Sequence, residues 1–184
     1  MTERTRPSVT SFADLAALES FLNATASRPC EEPGLSELDH SLQCAEELKR
    51  LAPDDEELQI AGLVHDIAHS QCHISEHDQV GADAVRPILG DRVAALVGLH
   101  VYAKRYLVAT DVAYRERLSR VSTHTLELQG GVMTADEIAR FEASPYARDA
   151  VRLRIADEAA KVVGRSVAGL DAWLPALRRV AGGQ

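Results

Sequence analysis

The sequence predicts an all-α protein, and three observations lead to this fold class. Apolar residues recur three or four positions apart along most of the 184 residues, which is the period of an amphipathic helix. Alternation with a period of two nowhere runs long enough to predict a sheet. Capping residues, prolines and glycines separate the periodic segments. Because no internal repeat or long linker interrupts the chain, we expect a single domain over residues 1–184.

The first part of the chain should form three helices. Ser11 is a suitable N-cap for the first, and Ser36, after a proline-containing loop, is a suitable N-cap for the second. A third helix should carry the apolar stretch AGLVHDIAH, residues 61–69. In such a helix His65 and His69 would lie one turn apart on one face.

Further helices are expected in the remainder of the chain. The capping box of Thr134 and Glu137 should start one of them, and Gly90 should end another. Of the other expected helices, one begins at His77 and one at the capping residue Asp91. Segments 111–129 and 146–163 also have helical spacing.

The composition disfavours several classes of protein. The net charge of −8 argues against nucleic-acid binding, whereas a few local cations or a metal could still bind a small anion. Because there is no run of about 18 apolar residues, no membrane span is expected. The N-terminal segment lacks the apolar centre of a signal peptide, so we expect a cytoplasmic protein. The three cysteines have no CxxC spacing, which argues against a disulfide framework and a zinc knuckle.

Several histidines and aspartates are embedded in apolar helical segments. They are His40, His65, Asp66, His77, His100 and Asp157. Burying such groups is costly unless they form hydrogen bonds or bind a metal. Each histidine taken alone is more often an ordinary core residue than a ligand. Four imidazoles and two carboxylates exceed one tetrahedral zinc site and suit two metals bridged by a carboxylate. Without a thiolate, such a set favours iron or manganese.

The order of a histidine, a His-Asp pair and a late aspartate resembles the HD-domain superfamily. A closer resemblance is carried by HSLQCA (40–45), LVHDIAH (63–69), EHDQVGAD (76–83), HVYAKRYL (100–107), TLELQGG (125–131) and RIADE (154–158). Together they are similar to the PhnZ-type oxygenases, which use O2 and a mixed-valent di-iron centre to cleave the C–P bond of 1-hydroxyalkylphosphonates. The resemblance implies a helical HD bundle with a di-metal site in its core over residues 36–161. Residues 1–35 would be an N-terminal helix and loop, and 162–184 a C-terminal extension.

The resemblance also implies roles for particular residues. One iron would be held by His40, His65, Asp66 and Asp157, and the other by His77 and His100, with Asp66 as the bridge. The phosphonate would be bound by His69, Lys104, Ser122, Thr125 and Gln129. Asp66, His69 and Lys104 would be the catalytic residues. An ammonium, two hydroxyls, an amide and an imidazole are chemically suited to phosphonate oxygens.

One segment departs from the family pattern. Relatives that act on the 2-amino substrate carry a tyrosine and a glutamate shortly before the first histidine, where this chain has Cys30 and Pro33. Glu31, Glu32 and Glu37 are the nearby acidic residues. We therefore expect a smaller, methylated or differently substituted 1-hydroxyphosphonate.

Three alternatives use the same ligands. A metal-dependent phosphohydrolase acting on a phosphate ester or nucleotide also needs a metal and an anion pocket. A metal-binding sensor without activity is disfavoured because the whole ligand set is present. An enzyme resembling inositol oxygenase would have no use for a phosphonate pocket. The segments HVYAKRYL and TLELQGG favour the phosphonate oxygenase.

Overall fold

The computed structural model describes residues 11–30 and 32–183, and the regular secondary structure within these ranges is helical. The helices are α1 (Leu15–Thr25), α2 (Glu37–Leu51), α3 (Glu56–Val64), α4 (His77–Thr110), α5 (Val112–Arg117), α6 (Arg120–Leu128), α7 (Ala135–Glu142), α8 (Ala147–Ala159) and α9 (Leu170–Gly182). The predicted all-α class is confirmed. Residues 1–10, Glu31 and Gln184 lie outside the described ranges.

Two predicted capping residues start helices as expected. Ser36 caps α2, where its hydroxyl accepts the Asp39 N–H at 3.0 Å and the Asp39 carboxylate faces the Ser36 backbone. Thr134 and Glu137 form the corresponding capping box of α7. In both cases the side chains satisfy backbone N–H groups that the first helical turn leaves without partners.

The predicted cap at Ser11 is wrong. Helix α1 begins three residues later, where the Asp14 carboxylate accepts the Ala17 N–H at 2.8 Å. The segment before it remains non-helical, and its buried Phe12 packs edge-on against Phe21 with ring centroids 5.4 Å apart.

The prediction that a helix carries both His65 and His69 is also wrong. Helix α3 ends at Val64, and the chain continues in tight turns such as the one closed by the His69 N–H and the Asp66 carbonyl at 2.8 Å. The His65 ring donates to the Gly62 carbonyl at 2.8 Å. An α-helix would give that carbonyl to the Asp66 N–H.

Two breaks divide the C-terminal helical segments. Gly90 interrupts α4 as predicted, with a φ of +81° that favours glycine over other residues. Segment 111–129 is two helices rather than one, because Ser119 caps α6 by accepting the Ser122 N–H at 3.1 Å.

Four central helices, α2, α3, α4 and α8, pack around the main apolar core. Their fully buried side chains include Leu48, Leu63, Leu96 and Leu153. The C-terminal α9 packs on the same core through Trp173 and Leu177. No helix in the described part of the chain is both long and apolar enough to cross a bilayer.

Candidate metal centre

Two pairs of imidazoles converge where the central helices meet. The Nε2 atoms of His40 and His65 are 3.2 Å apart, and those of His77 and His100 are 3.0 Å apart. His40 belongs to α2, His65 directly follows α3, and the other two rings come from α4. All four residues are buried.

Each of these rings has its other nitrogen fixed by a backbone carbonyl. The Nδ1 atoms lie 3.0 Å from Ala160 O for His40, 2.8 Å from Gly62 O for His65, 2.7 Å from Ile74 O for His77 and 2.7 Å from Val97 O for His100. Because a carbonyl only accepts, each Nδ1 carries the proton and each Nε2 can present its lone pair to the centre. Such carbonyl contacts are the usual support of histidines that bind metals.

Two carboxylates complete the cluster. Asp66 Oδ2 lies 3.3 Å from the His65 Nε2, while its Oδ1 lies 3.3 Å from the His77 Nε2. Each oxygen of Asp66 therefore faces one imidazole pair, as expected for a bridging carboxylate. Asp157 Oδ1 lies 3.2 Å from the His40 Nε2 and so joins the first pair.

The separations within the cluster fit metal ligands. His40, His65 and Asp66 form one compact group, and Asp66, His77 and His100 form a second that shares the aspartate. Two nitrogens that are each about 2.1 Å from one ion lie about 3.0 Å apart at a right angle and about 3.4 Å apart in a tetrahedron. The observed separation of 3.0 Å between His77 and His100 matches the right-angled arrangement, and that of 3.2 Å between His40 and His65 lies midway between the two.

The electrostatics of the cluster favour positive charge beside its carboxylates. Burial alone would raise the pKa of Asp66, but the charge of His65 and the surrounding imidazole hydrogen bonds hold it well below its usual value. Burial alone would lower the pKa of His65, but the charge of Asp66 raises it well above its usual value. Ionised carboxylates among imidazoles are the donor set of histidine–carboxylate metal sites.

The metal centre opens into a pocket that contains all five predicted phosphonate-binding residues. Ser122 and Thr125 lie on α6, and Gln129 is its C-cap, so the predicted common face is present. His69 lies beside the cluster, with its ring centroid 5.2 Å from that of His77. The buried Lys104 donates to the Thr125 hydroxyl at 2.9 Å.

Two further cations line this pocket, and the sequence reasoning gave them no role. Arg154 donates to Asp157 Oδ2, so only Oδ1 of that carboxylate faces the imidazoles. Lys161 follows α8 and is largely buried in the pocket wall. The two residues flank Asp157 at positions −3 and +4, which is the spacing of one helix face. That spacing is the only signal that could have indicated them.

The cations also act on each other. Burial, followed by the charge of Arg154 and that of Lys161, lowers the pKa of Lys104 to about 7. For Asp157, burial would raise the pKa, but the charges of Arg154 and Lys161 hold it well below its usual value. The pocket thus combines an ionised carboxylate at its base with several cations in its wall.

Arg105 joins the two most characteristic sequence segments. Its Nε donates to the Gly131 carbonyl at 2.9 Å, and its Nη2 donates to the Gly130 carbonyl at 3.2 Å. Both glycines have positive φ, +98° at Gly130 and +69° at Gly131. Within HVYAKRYL, Lys104 therefore lines the pocket, whereas the adjacent Arg105 stabilises the turn that follows Gln129.

The loop before α2 forms another part of the pocket wall. Cys30, Glu32 and Glu37 line the pocket, whereas Pro33 is exposed and lies outside it. The Glu32 carboxylate accepts the Ser119 hydroxyl at 2.7 Å, which ties this loop to the start of α6. A small thiol thus lines the pocket at one of the two positions where the sequence resemblance would place an amine-sensing pair.

Comparisons with known proteins agree with this site. A family model described as the HD domain matches residues 38–160. The chain is 39% identical to the hydroxymethylphosphonate dioxygenase of Gimesia maris over 153 residues, which cover 77% of this chain and 76% of that protein. It is 37% identical over 116 residues to the [1-hydroxy-2-(trimethylamino)ethyl]phosphonate dioxygenase (glycine-betaine-forming) of Leisingera caerulea, covering 58% of this chain and 59% of that protein.

The chain belongs to the HD-domain family and, within it, to the PhnZ-type oxygenases. The enzyme class predicted from the sequence, an HD-domain oxygenase, is confirmed.

Proposed function

We propose that the protein uses O2 to cleave the C–P bond of a 1-hydroxyalkylphosphonate, releasing inorganic phosphate and a carboxylic acid. The observation that carries this proposal is the pocket itself, in which a cluster of imidazoles and carboxylates adjoins a buried lysine and three polar side chains. The names of the two dioxygenase relatives support the same substrate class. The acid and the phosphate together carry two oxygen atoms more than the substrate, so one O2 balances the reaction.

The donor set fits two iron ions, which we propose to be a mixed-valent pair. The first would be held by His40, His65, Asp66 and Asp157, and the second by His77, His100 and the shared Asp66. When bound, the irons supply the one-electron chemistry with O2 that protein side chains lack.

The protein's own residues would position the substrate. The phosphonate would lie in the pocket lined by His69, Lys104, Ser122, Thr125 and Gln129. The Lys104 ammonium would neutralise part of the phosphonate charge in a site with little access to water, where such a charge-assisted hydrogen bond is strong. Asp66, by contacting both imidazole pairs, would keep the two metals at a fixed separation.

The substituent on carbon 1 should not be the 2-amino group, because the amine-sensing tyrosine and glutamate are absent. Cys30 lines the same pocket as Asp66 and His40 of the metal cluster. Glu32, the acidic side chain beside it, is already bonded to Ser119. We therefore propose hydroxymethylphosphonate as the first substrate to test, in line with the name of the Gimesia relative.

The proposal is tested by measuring oxygen consumption of the iron-loaded protein with three compounds. They are hydroxymethylphosphonate and its two homologues that carry an aminomethyl or a trimethylammoniomethyl group on carbon 1. Phosphate release is measured in parallel, and the metal-free protein is the control. We expect phosphate release only with iron and O2, and fastest with the unsubstituted compound. Phosphate release from esters or nucleotides under nitrogen would instead identify a metal-dependent phosphohydrolase.

A further inference from the structure

Lys161 is a cation of the pocket wall whose position the proposed phosphonate set does not explain. Its Nζ lies 2.7 Å from the Ser122 Oγ and 2.9 Å from Glu158 Oε2. It is also 3.9 Å from Asp157 Oδ1, and its side chain is only 13% exposed. The chain has just three lysines among its 20 Lys and Arg residues, and two of them, Lys104 and Lys161, line this pocket.

The hydroxyl of Ser122 is fully used by its neighbours. Arg154 Nη2 at 3.0 Å and Lys161 Nζ at 2.7 Å both donate to it. Ser122 in turn donates its proton to Glu158 Oε2 at 3.0 Å. A hydroxyl has one proton and two lone pairs, so this one has nothing left to donate to a phosphonate oxygen.

The proton of the Thr125 hydroxyl is also used within the protein. Its hydroxyl accepts from Lys104 at 2.9 Å and donates to the Ser122 carbonyl at 3.3 Å. Each ammonium, by contrast, has three N–H donors. Lys104 uses one of them on Thr125, and Lys161 uses two, on Ser122 and Glu158. The donors that remain at this wall therefore belong to the two lysines rather than to the two hydroxyls.

We propose that Lys161 is a second phosphonate-binding cation that acts together with Lys104, and that Ser122 positions Lys161 instead of contacting the phosphonate. This inference rests on the proposed function only in that the ligand is a phosphonate. A dianion would be matched by two ammonium groups at one wall, and Glu158 would hold Lys161 in place until the anion arrives.

The first test measures the affinity for methylphosphonate, which lacks the hydroxyl group, by calorimetry with the iron-loaded protein. Lys161→Met should weaken binding roughly 10- to 100-fold, the loss expected for one charge-assisted hydrogen bond. Lys161→Arg should restore most of it. Lys49→Met removes the remaining lysine, which is exposed on α2, and should bind as the wild type does. Iron content, measured for every variant, should not change.

A double-variant cycle separates the roles of Lys161 and Ser122. If Ser122 acts only through Lys161, adding Ser122→Ala to Lys161→Met should weaken binding no further. Additive losses would assign a direct contact to Ser122 and overturn that half of the proposal. Wild-type affinity in Lys161→Met would overturn the other half.

Amine-selective labelling of the wild-type protein gives an answer that does not depend on any variant folding. Methylphosphonate should protect Lys104 and Lys161, but not Lys49, as read by peptide mass spectrometry. Protection of Lys104 alone would contradict the proposal. Because neither readout needs turnover, a failure of O2-dependent cleavage would contradict the proposed function and leave the binding result standing.

Discussion

Backbone carbonyls decide which nitrogen of each clustered histidine can face the metal centre. The sequence predicted the ligand residues because histidines and aspartates are unusual within apolar helices. It could not predict their support by Gly62, Ile74, Val97 and Ala160, since any residue provides a carbonyl. The pocket role of Arg154 was equally hidden, because arginine on a helix is normally solvated.

The Lys104 ammonium gives a pH prediction at the same scale. Its pKa is lowered to about 7, by burial first and then by the charge of Arg154. If the phosphonate binds to protonated Lys104, as proposed, affinity should fall as the pH rises above 7, by up to tenfold per unit until the pKa of the bound state is reached. Lys104→Arg stays charged across this range and should not show that fall.

Calorimetric titration with methylphosphonate from pH 6 to 9 checks this expectation. Ionisation of the ligand affects both proteins equally, so the difference between them reports on Lys104. Identical pH profiles for the wild type and Lys104→Arg would show that Lys104 does not titrate in this range.

Among the structural elements, α4 and the turn after α6 depend on each other through Arg105. This contact joins HVYAKRYL and TLELQGG in space, which their positions in the sequence do not show. Other features at this scale escaped prediction because side chains compete with the backbone. The His65 ring takes a helix carbonyl, and Ser119 starts a new helix within a segment of continuous helical spacing.

Replacement of Arg105 should disturb both stability and substrate binding. Arg105→Gln removes the arginine donor from the Gly130 and Gly131 carbonyls and from Glu137 Oε1, so the free energy of unfolding should fall by about 1–3 kcal/mol. Gln129, directly before the turn, should move, and KM should rise. Denaturant unfolding and steady-state kinetics measure the two effects.

Arg148→Gln, on the exposed face of α8, is the matched control and should change neither quantity. If Arg105→Gln behaved like this control, the turn would not depend on the arginine.

Across the whole molecule, the local cations of the pocket coexist with a net charge of −8. The negative net charge is compatible with binding of a small anion, because Lys104, Arg154 and Lys161 all line the same pocket. The sequence left open whether the C-terminal segment packs on the core. The structure shows that it does, since Trp173 and Leu177 belong to the main apolar cluster.

Removing a core contact of α9 should therefore weaken the whole fold and not the site. Leu177 is fully buried, so Leu177→Ala should lower the free energy of unfolding by about 2–5 kcal/mol. Leu51→Ala, at a residue that is 45% exposed, should cost less than about 1 kcal/mol. Iron content per folded chain should be unchanged in both. An unaffected midpoint for Leu177→Ala would mean that α9 is not part of the cooperative core.

Turnover of hydroxymethylphosphonate by the iron-loaded protein under 18O2 in unlabelled water tests the proposed reaction most directly. Mass spectrometry of the formate and phosphate, together with oxygen consumption, follows the two added oxygen atoms. We expect oxygen from O2 in the products and one O2 consumed for each phosphate released. Phosphate released equally fast under nitrogen, with its new oxygen drawn from water, would contradict the oxygenase proposal.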